Sequence, residues 1–153
     1  MTHGTNTEED TAFGVDLTFN CSKPFIATGA MRPETYLSHD GPSNLYQAIA
    51  VAADPKARDR GAMFVFNDRI VSAFYGQKTN ANSPDTFLAP EQGNLGVCLG
   101  GQPYWYFSPS WPTAKYTYDL SNMTSGDDLP AVVVLFGSRK YRLWVEIRQN
   151  IIS

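Results

Sequence analysis

Between Thr5 and Phe66 the chain twice alternates a helix-spaced apolar pattern with a short unbroken apolar run, and Pro or Gly marks most of the junctions. This alternation narrows the fold more than any other feature. The acidic cluster Glu8, Glu9 and Asp10 suits the positive first turn of a helix, which the spacing starts near Thr5 to Thr7. Ala12, Phe13, Val15 and Leu17 continue it, and Pro24, which disfavours helix in the residue before it, bounds it after Asn20. Phe25 to Thr28 reads as a buried strand. Leu45, Tyr46, Ile49, Ala50 and Ala53 give a second helix over Ser43 to Ala53, opened by Pro42 and closed by Asp54-Pro55. Gly61 to Phe66 is a second apolar strand, stopping at Asn67-Asp68. Helix, strand, helix, strand in succession predicts an α/β fold with a mostly parallel sheet and crossover helices.

From Ala73 to Ser125 the composition turns to Gly, Pro, Ser, Asn and aromatics, with short candidate strands at Val97 to Leu99 and Tyr104 to Phe107. The aromatics supply surface to bury, so a hairpin-bearing arm attached to the sheet domain accounts for this stretch better than disorder does. Ala131 to Phe136 returns to a buried-strand pattern. Tyr141, Leu143, Val145 and Ile147 then alternate with Arg142, Trp144, Glu146 and Arg148 at strand period. Neither an internal repeat nor a low-complexity tract interrupts the chain.

With 153 residues, 42% hydrophobic and 18% charged, the chain has ordinary globular proportions and room for one domain with a core. A net charge of -3 provides no general electrostatic attraction to nucleic acid or an anionic membrane, so neither partner is expected. The basic cluster Arg139, Lys140, Arg142 and Arg148 reads as a solvated face. No stretch approaches the roughly 20 apolar residues that span a bilayer, and Met1 to Asp10 lacks an export-signal pattern. Cys21 and Cys98 lack metal-ligand spacing; one disulfide, two thiols, or partners of cysteines outside the chain are all open, and two free thiols is favoured.

Thr2-His3-Gly4-Thr5-Asn6-Thr7 sits where a strand turns into a helix, a place that aims backbone N–H groups and a positive helix end at a ligand. From these residues alone, Thr5 or Thr7 as a helix cap, with Glu8 or Glu9 completing a capping box, is the favoured reading, and His3 is structural. Lys78 gains importance only if it comes near Thr5, where it could act as a base toward a hydroxyl. Asp40 reads as a turn or cap residue before the second helix. No Ser-His-Asp order, zinc spacing or phosphate loop is present, and no cofactor or metal is expected.

Taken in order, Thr-His-Gly-Thr-Asn-Thr at Thr2, Lys-Pro-Phe-Ile at Lys23, Gly-Ala-Met-Arg-Pro at Gly29, Asp-Gly-Pro-Ser-Asn-Leu-Tyr at Asp40, Val-Ala-Ala-Asp at Val51, Asn-Asp-Arg-Ile at Asn67, Lys-Thr-Asn at Lys78 and Gly-Asn-Leu-Gly at Gly93 resemble the type II L-asparaginases. The resemblance runs from Thr2 to about Phe136. It implies part of the family's N-terminal domain over residues 1–137, lacking its first strands, followed by a divergent tail, 138–153. It also implies a threonine amidohydrolase that converts L-asparagine, with L-glutamine as an alternative, to the acid and ammonia without metal or organic cofactor. Thr5 matches the threonine of the family's His-Gly-Thr-Asp-Thr motif, Lys78 the lysine that works with it, and Ala30 a backbone segment lining the same pocket. Asn6 takes the place of the motif's aspartate as a substrate-binding position, replacing a charge-assisted hydrogen bond with a neutral one.

The family's Thr-Gly-Gly-Thr-Ile strand, with its nucleophilic threonine, and its C-terminal domain lie outside the chain, so little or no turnover by this chain alone is expected. The alternatives are a non-catalytic paralogue that joins full-length subunits, which are homotetramers in the family, and a gene-model fragment. A sheet without that strand keeps an unpaired edge, which predicts poor solubility or reliance on a partner chain. Cys21 matches a position bridged in some secreted relatives to a cysteine before this chain, which implies a free thiol here; the compartment itself stays open.

Overall fold

The computed structural model describes residues 1–111, 116–126, 129–130 and 132. The strand expected at Ala131 to Phe136, the alternating tail and its basic cluster lie outside the described residues. The chain divides into two compact units, Met1–Leu120 and Ser121–Ser153. All elements described below belong to the first.

Helix α1 spans Glu8–Thr18, strand β1 Phe25–Ala27 and helix α2 Gly41–Ala53. A short 3-10 turn, Pro55–Ala57, leads to β2 at Ala62–Phe66 and β3 at Arg69–Ser72. Two-residue strands β4 (Gln77–Lys78) and β5 (Phe87–Leu88) pair with each other, and β6 (Gly96–Leu99) and β7 (Gln102–Trp105) complete the set. The five-stranded sheet runs β1-β2-β3-β6-β7.

The α/β class stands, but the sheet is mixed rather than mostly parallel. β1 and β2 are parallel, joined through α2, whereas β2–β3, β3–β6 and β6–β7 are antiparallel. Connection length explains the difference. Only Asn67 and Asp68 separate β2 from β3, and both have positive φ, 46° and 64°, as a two-residue hairpin turn requires. A parallel crossover needs a dozen or more residues. The expected hairpin at residues 97–107 forms one or two residues earlier, and because β6 pairs with β3 it extends the main sheet. β4 and β5 stand apart as their own small sheet.

Every residue of β2 is buried, and its alternation feeds two cores. Ala62, Phe64 and Phe66 pack with Ala12 of α1 and with Phe87 and Ala89 of the arm. Met63 and Val65 pack on the other face with Ala48 and Val51 of α2, Ile70 and Leu95. Helices thus cover opposite faces of the sheet, as an α/β layering demands. α1 docks through an i, i+4, i+8 stripe of Glu8, Ala12 and Asp16, two of which are acids. Asp16 has a structural reason: its Oδ1 accepts the Ala62 N–H at 2.8 Å. Gly61 makes that approach feasible, since its φ is +71° and a Cβ there would stand 2.3 Å from Asp16 Oδ1.

The edge of β1 is not bare. Thr2 forms a parallel bridge with Thr28, the Met1 ammonium donates to Ile26 O at 2.7 Å, and the His3 N–H donates to Thr28 O at 3.0 Å. Met1 to His3 therefore covers the C-terminal part of the edge expected to be unpaired. Both cysteines are free thiols, Cys21 exposed and Cys98 buried, and burial pushes the Cys98 thiol up, with Asp68 adding to it. No helix among the described residues is long and apolar enough to cross a membrane.

Candidate active site

Thr5 lies in the turn that carries the chain from the Thr2–Thr28 bridge into α1, beyond the carboxyl end of the parallel strands. Open α/β sheets bind ligands at such ends. Neither threonine caps the helix through its hydroxyl. Thr7 is the N-cap residue but makes no side-chain cap hydrogen bond. Thr5 Oγ1 instead accepts from Lys78 Nζ at 2.9 Å, and the same ammonium donates to Asn6 Oδ1 at 2.9 Å. Tertiary structure thus brings together three of the four expected site residues.

Lys78 reaches this place because the arm is pinned behind it. Its cross-strand partner Phe87 is 1% exposed and stacks on Phe66 with ring centroids 4.4 Å apart. At the base of the arm, Asp85 takes a two-pronged bond from Arg69, Nε to Oδ1 at 2.6 Å and Nη2 to Oδ2 at 3.0 Å. That hydrogen bond holds the Asp85 carboxyl below its usual range. Glu9, read from sequence as a first-turn acid or a capping-box residue, accepts the Lys78 backbone N–H at 2.6 Å.

The fourth residue, Ala30, lies in the loop that follows β1. It lines a cavity of about 440 Å³ with Thr2, His3, Gly4, Thr28, Gly29, Gly41 and Leu45. Lys78, Thr79, Asn80 and Ala81 border a separate hollow of about 270 Å³. Gly4, the neighbour of Thr5, lines the larger cavity, while Thr5 and Lys78 do not. Asp40, expected as a turn or cap residue before the second helix, occupies the N-cap position of α2 and holds the Ala30 turn in shape. It precedes α2 without a side-chain cap bond. Its carboxylate instead accepts the N–H of Met31 at 3.0 and 3.1 Å, of Arg32 at 2.8 Å, and Asn44 Nδ2 at 2.9 Å. Asn44, 1% exposed, also donates to Gly29 O at 3.0 Å and accepts the Asn67 N–H at 3.0 Å, so one α2 side chain ties this turn to the β2–β3 hairpin.

His3 is structural, its Nδ1 donating to Gly4 O at 2.8 Å and its Nε2 3.2 Å from Thr11 Oγ1. Beneath the Thr5 turn lies a group that sequence reasoning missed. Glu8 is fully buried, neither carboxyl oxygen has a hydrogen-bond partner among the described residues, and Oε2 would stand 3.3 Å from a Cβ on Gly29. Burial pushes this carboxyl up to about 8, against the opposing pull of the N-terminal ammonium and Lys78. The i, i+4 spacing of Glu8 with Ala12 was the available signal. Among the described residues no group of His, Cys, Asp or Glu is arranged to hold a metal ion.

Comparison with known proteins gives a consistent picture. Residues 1–111 match the family model described as Asparaginase, N-terminal. The chain is 49% identical over 137 residues to the probable L-asparaginase 1 of Schizosaccharomyces pombe, covering 90% of this chain and 37% of that protein. It is 48% identical over 136 residues to L-asparaginase 2-3 of Saccharomyces cerevisiae, covering 89% of this chain and 38% of that one. A crystal structure of a probable cytoplasmic L-asparaginase from Campylobacter jejuni superposes with a TM-score of 0.76 at 40% identity, over 81% of this chain and 40% of that one. The chain therefore spans less than two fifths of the length of these curated relatives.

Proposed function

Since this chain belongs to the asparaginase family, we propose that it carries the Thr5–Lys78 part of an amide-hydrolysing site acting on L-asparagine, with L-glutamine as the longer alternative. The observation that supports this most is the Lys78 ammonium held 2.9 Å from both Thr5 Oγ1 and Asn6 Oδ1. In amide hydrolysis an oxygen nucleophile adds to the side-chain carbonyl carbon, the C–N bond breaks and ammonia leaves with the proton given up by the nucleophile; where the nucleophile is a hydroxyl, water then cleaves the ester formed, releasing L-aspartate and restoring the hydroxyl. Lys78 Nζ is placed to exchange a proton with a hydroxyl or an attacking water through Thr5 Oγ1. Ala30, on the turn braced by Asp40, offers backbone to the substrate, and Asn6 receives its ammonium. No metal or cofactor takes part.

Asn6 is the ground for low turnover. Its neutral oxygen binds an ammonium less strongly than a carboxylate would, roughly by half. On this reading the chain by itself hydrolyses L-asparagine slowly or not at all, and residues 1–137 form the family-like domain, with 138–153 as an appended tail.

Ammonia release and L-asparagine binding test the site together. Thr5→Ala and Lys78→Ala are each expected to remove residual turnover and weaken binding; if both leave binding untouched, Thr5 and Lys78 are not the site. Robust turnover by the unaltered chain, abolished by Thr5→Ala, would overturn the slow-turnover reading.

A groove supports a second reading, a non-catalytic chain that joins full-length asparaginase subunits. Met1, Pro24, Phe25, Ile26, Leu45 and Ile49 line a 270 Å³ hollow between β1 and α2, and Ile49 is 61% exposed. Apolar surface of this kind is commonly covered by another chain. Failure to co-purify with a full-length homologue removes this reading.

A further inference from the structure

Lys78 belongs to a strand of only two residues, paired with Phe87–Leu88. In an antiparallel ladder, residues that exchange main-chain hydrogen bonds with the partner strand alternate with residues whose N–H and C=O point away. The Thr79 N–H donates to Thr86 O at 2.8 Å, so the adjoining Lys78–Phe87 pair is of the second kind. The Lys78 N–H therefore faces away from β5 and needs a partner elsewhere. Glu9 provides it: Oε2 accepts that N–H at 2.6 Å, a charge-assisted bond across 69 positions of sequence.

Glu9 lies in the first turn of α1, and Thr5 and Asn6 lie in the turn that leads into it. The start of α1 thus grips Lys78 at both ends, its main chain through Glu9 and its ammonium through Thr5 and Asn6. Other contacts of the arm do not substitute for this grip. Phe87 anchors the opposite strand in the core, while Thr79 Oγ1 to Thr86 O at 2.9 Å and the Asn80 N–H to Thr86 Oγ1 at 2.8 Å tie the hairpin to itself. These contacts fix the arm against the sheet and against itself, whereas the bond from Glu9 ties the Lys78 backbone directly to α1.

We propose that Glu9 is a positioning residue whose carboxylate, by holding the Lys78 backbone to the first turn of α1, sets the Lys78 ammonium against the Thr5 hydroxyl. This rests on the reading of Thr5 and Lys78 as the reacting pair. It adds a second function to an acid whose position alone would suggest only interaction with the helix dipole.

Nuclear magnetic resonance on the isotopically labelled full chain separates the parts. The Lys78 backbone amide proton shift reads the bond to Glu9, and the cross-relaxation between the Lys78 ε-methylene and the Thr5 β- and γ-protons reads the placed pair. Glu9→Ala is expected to lose both, with the Phe66–Phe87 ring contact intact. Glu9→Gln retains an acceptor oxygen and is expected to keep the Lys78–Thr5 contact with a smaller downfield shift of the amide. Persistence of that contact in Glu9→Ala overturns the proposal. Should Glu9→Ala lose the Phe66–Phe87 contact as well, Glu9→Gln decides, because an unchanged Lys78 amide shift in that variant means no bond to Glu9 exists. Failure of the reaction reading looks different: the Lys78–Thr5 contact is present and depends on Glu9, yet L-asparagine binding is indifferent to Thr5→Ala.

Discussion

Lys78 Nζ lies 2.9 Å from Thr5 Oγ1 across 73 positions of sequence, and Asn6 Oδ1 accepts from the same ammonium. Changing Asn6→Asp turns the neutral acceptor into an ion-pair partner. The pair is open to solvent, so the expected gain is only about 0.2–1 kcal/mol in low salt. Thermal unfolding in 20 and 500 mM salt, as chosen conditions on the order of those that screen exposed charges, should show the gain shrinking in the higher salt.

Glu8 should make the protein less stable as pH rises. Burial raises its carboxyl from the ordinary 4.5 to about 8, so between these values the folded chain holds a proton that the unfolded chain has released. Stability then falls with rising pH across that window and levels off above it. Glu8→Leu removes the unpartnered carboxyl and should stabilise the chain by about 1–3 kcal/mol near pH 8, with little gain near pH 4. Urea melts at several pH values check this; an equal gain at both ends would refute the assignment.

Asp40→Ala leaves the Met31 and Arg32 N–H groups and Asn44 Nδ2 without their shared acceptor. Losing several bonds to a charged group should cost about 2–4 kcal/mol. Hydrogen exchange adds a local readout: faster exchange is expected at Met31 and Arg32, with protection in β2 kept at sub-global openings.

Gly61→Ala should destabilise the chain by about 2 kcal/mol or more, because an L-residue in the left-handed region costs roughly 1–2 kcal/mol before any clash is counted. Here the added Cβ also meets Asp16 Oδ1, which must release the Ala62 N–H. A chemical denaturation curve measures the total, and the double variant Gly61→Ala with Asp16→Ala should cost less than the sum of the two single changes.

Phe87→Ala removes a buried ring stacked on Phe66 and packed near Phe64 at 5.0 Å. The expected loss is about 3–5 kcal/mol. Since Phe87 is the cross-strand partner of Lys78, the Lys78–Thr5 contact should weaken at temperatures where the rest of the sheet remains folded.

The parts of the fold legible in the sequence are those whose apolar pattern repeats over several residues. α1, α2, β1 and β2 fall within a few residues of their expected places, and the α/β class follows from their order. β3 escaped notice because four residues carry little periodicity; the Asn67-Asp68 pair between apolar runs was the available hairpin signal. Reading Asn67-Asp68 only as the end of a strand made the sheet look mostly parallel. At the site, resemblance singled out Thr5, Asn6, Lys78 and Ala30, while the cap role that residue statistics favoured for the threonines fails because neither hydroxyl bonds a helix-start N–H.

By itself, then, the sequence determined which segments could be helix or strand and which family the ordered motifs resemble. These are local properties, set by side-chain periodicity and backbone preference. Only tertiary structure decided that Lys78 meets Thr5, that Glu9 receives the Lys78 N–H, that Asp40 braces the Ala30 turn, and that Glu8 is buried without a hydrogen-bond partner among the described residues while Glu9 beside it is bonded. Residues far apart along the chain become neighbours through the packing of Phe87 and β2, and the ionisation of Glu8 depends on how much water that packing excludes.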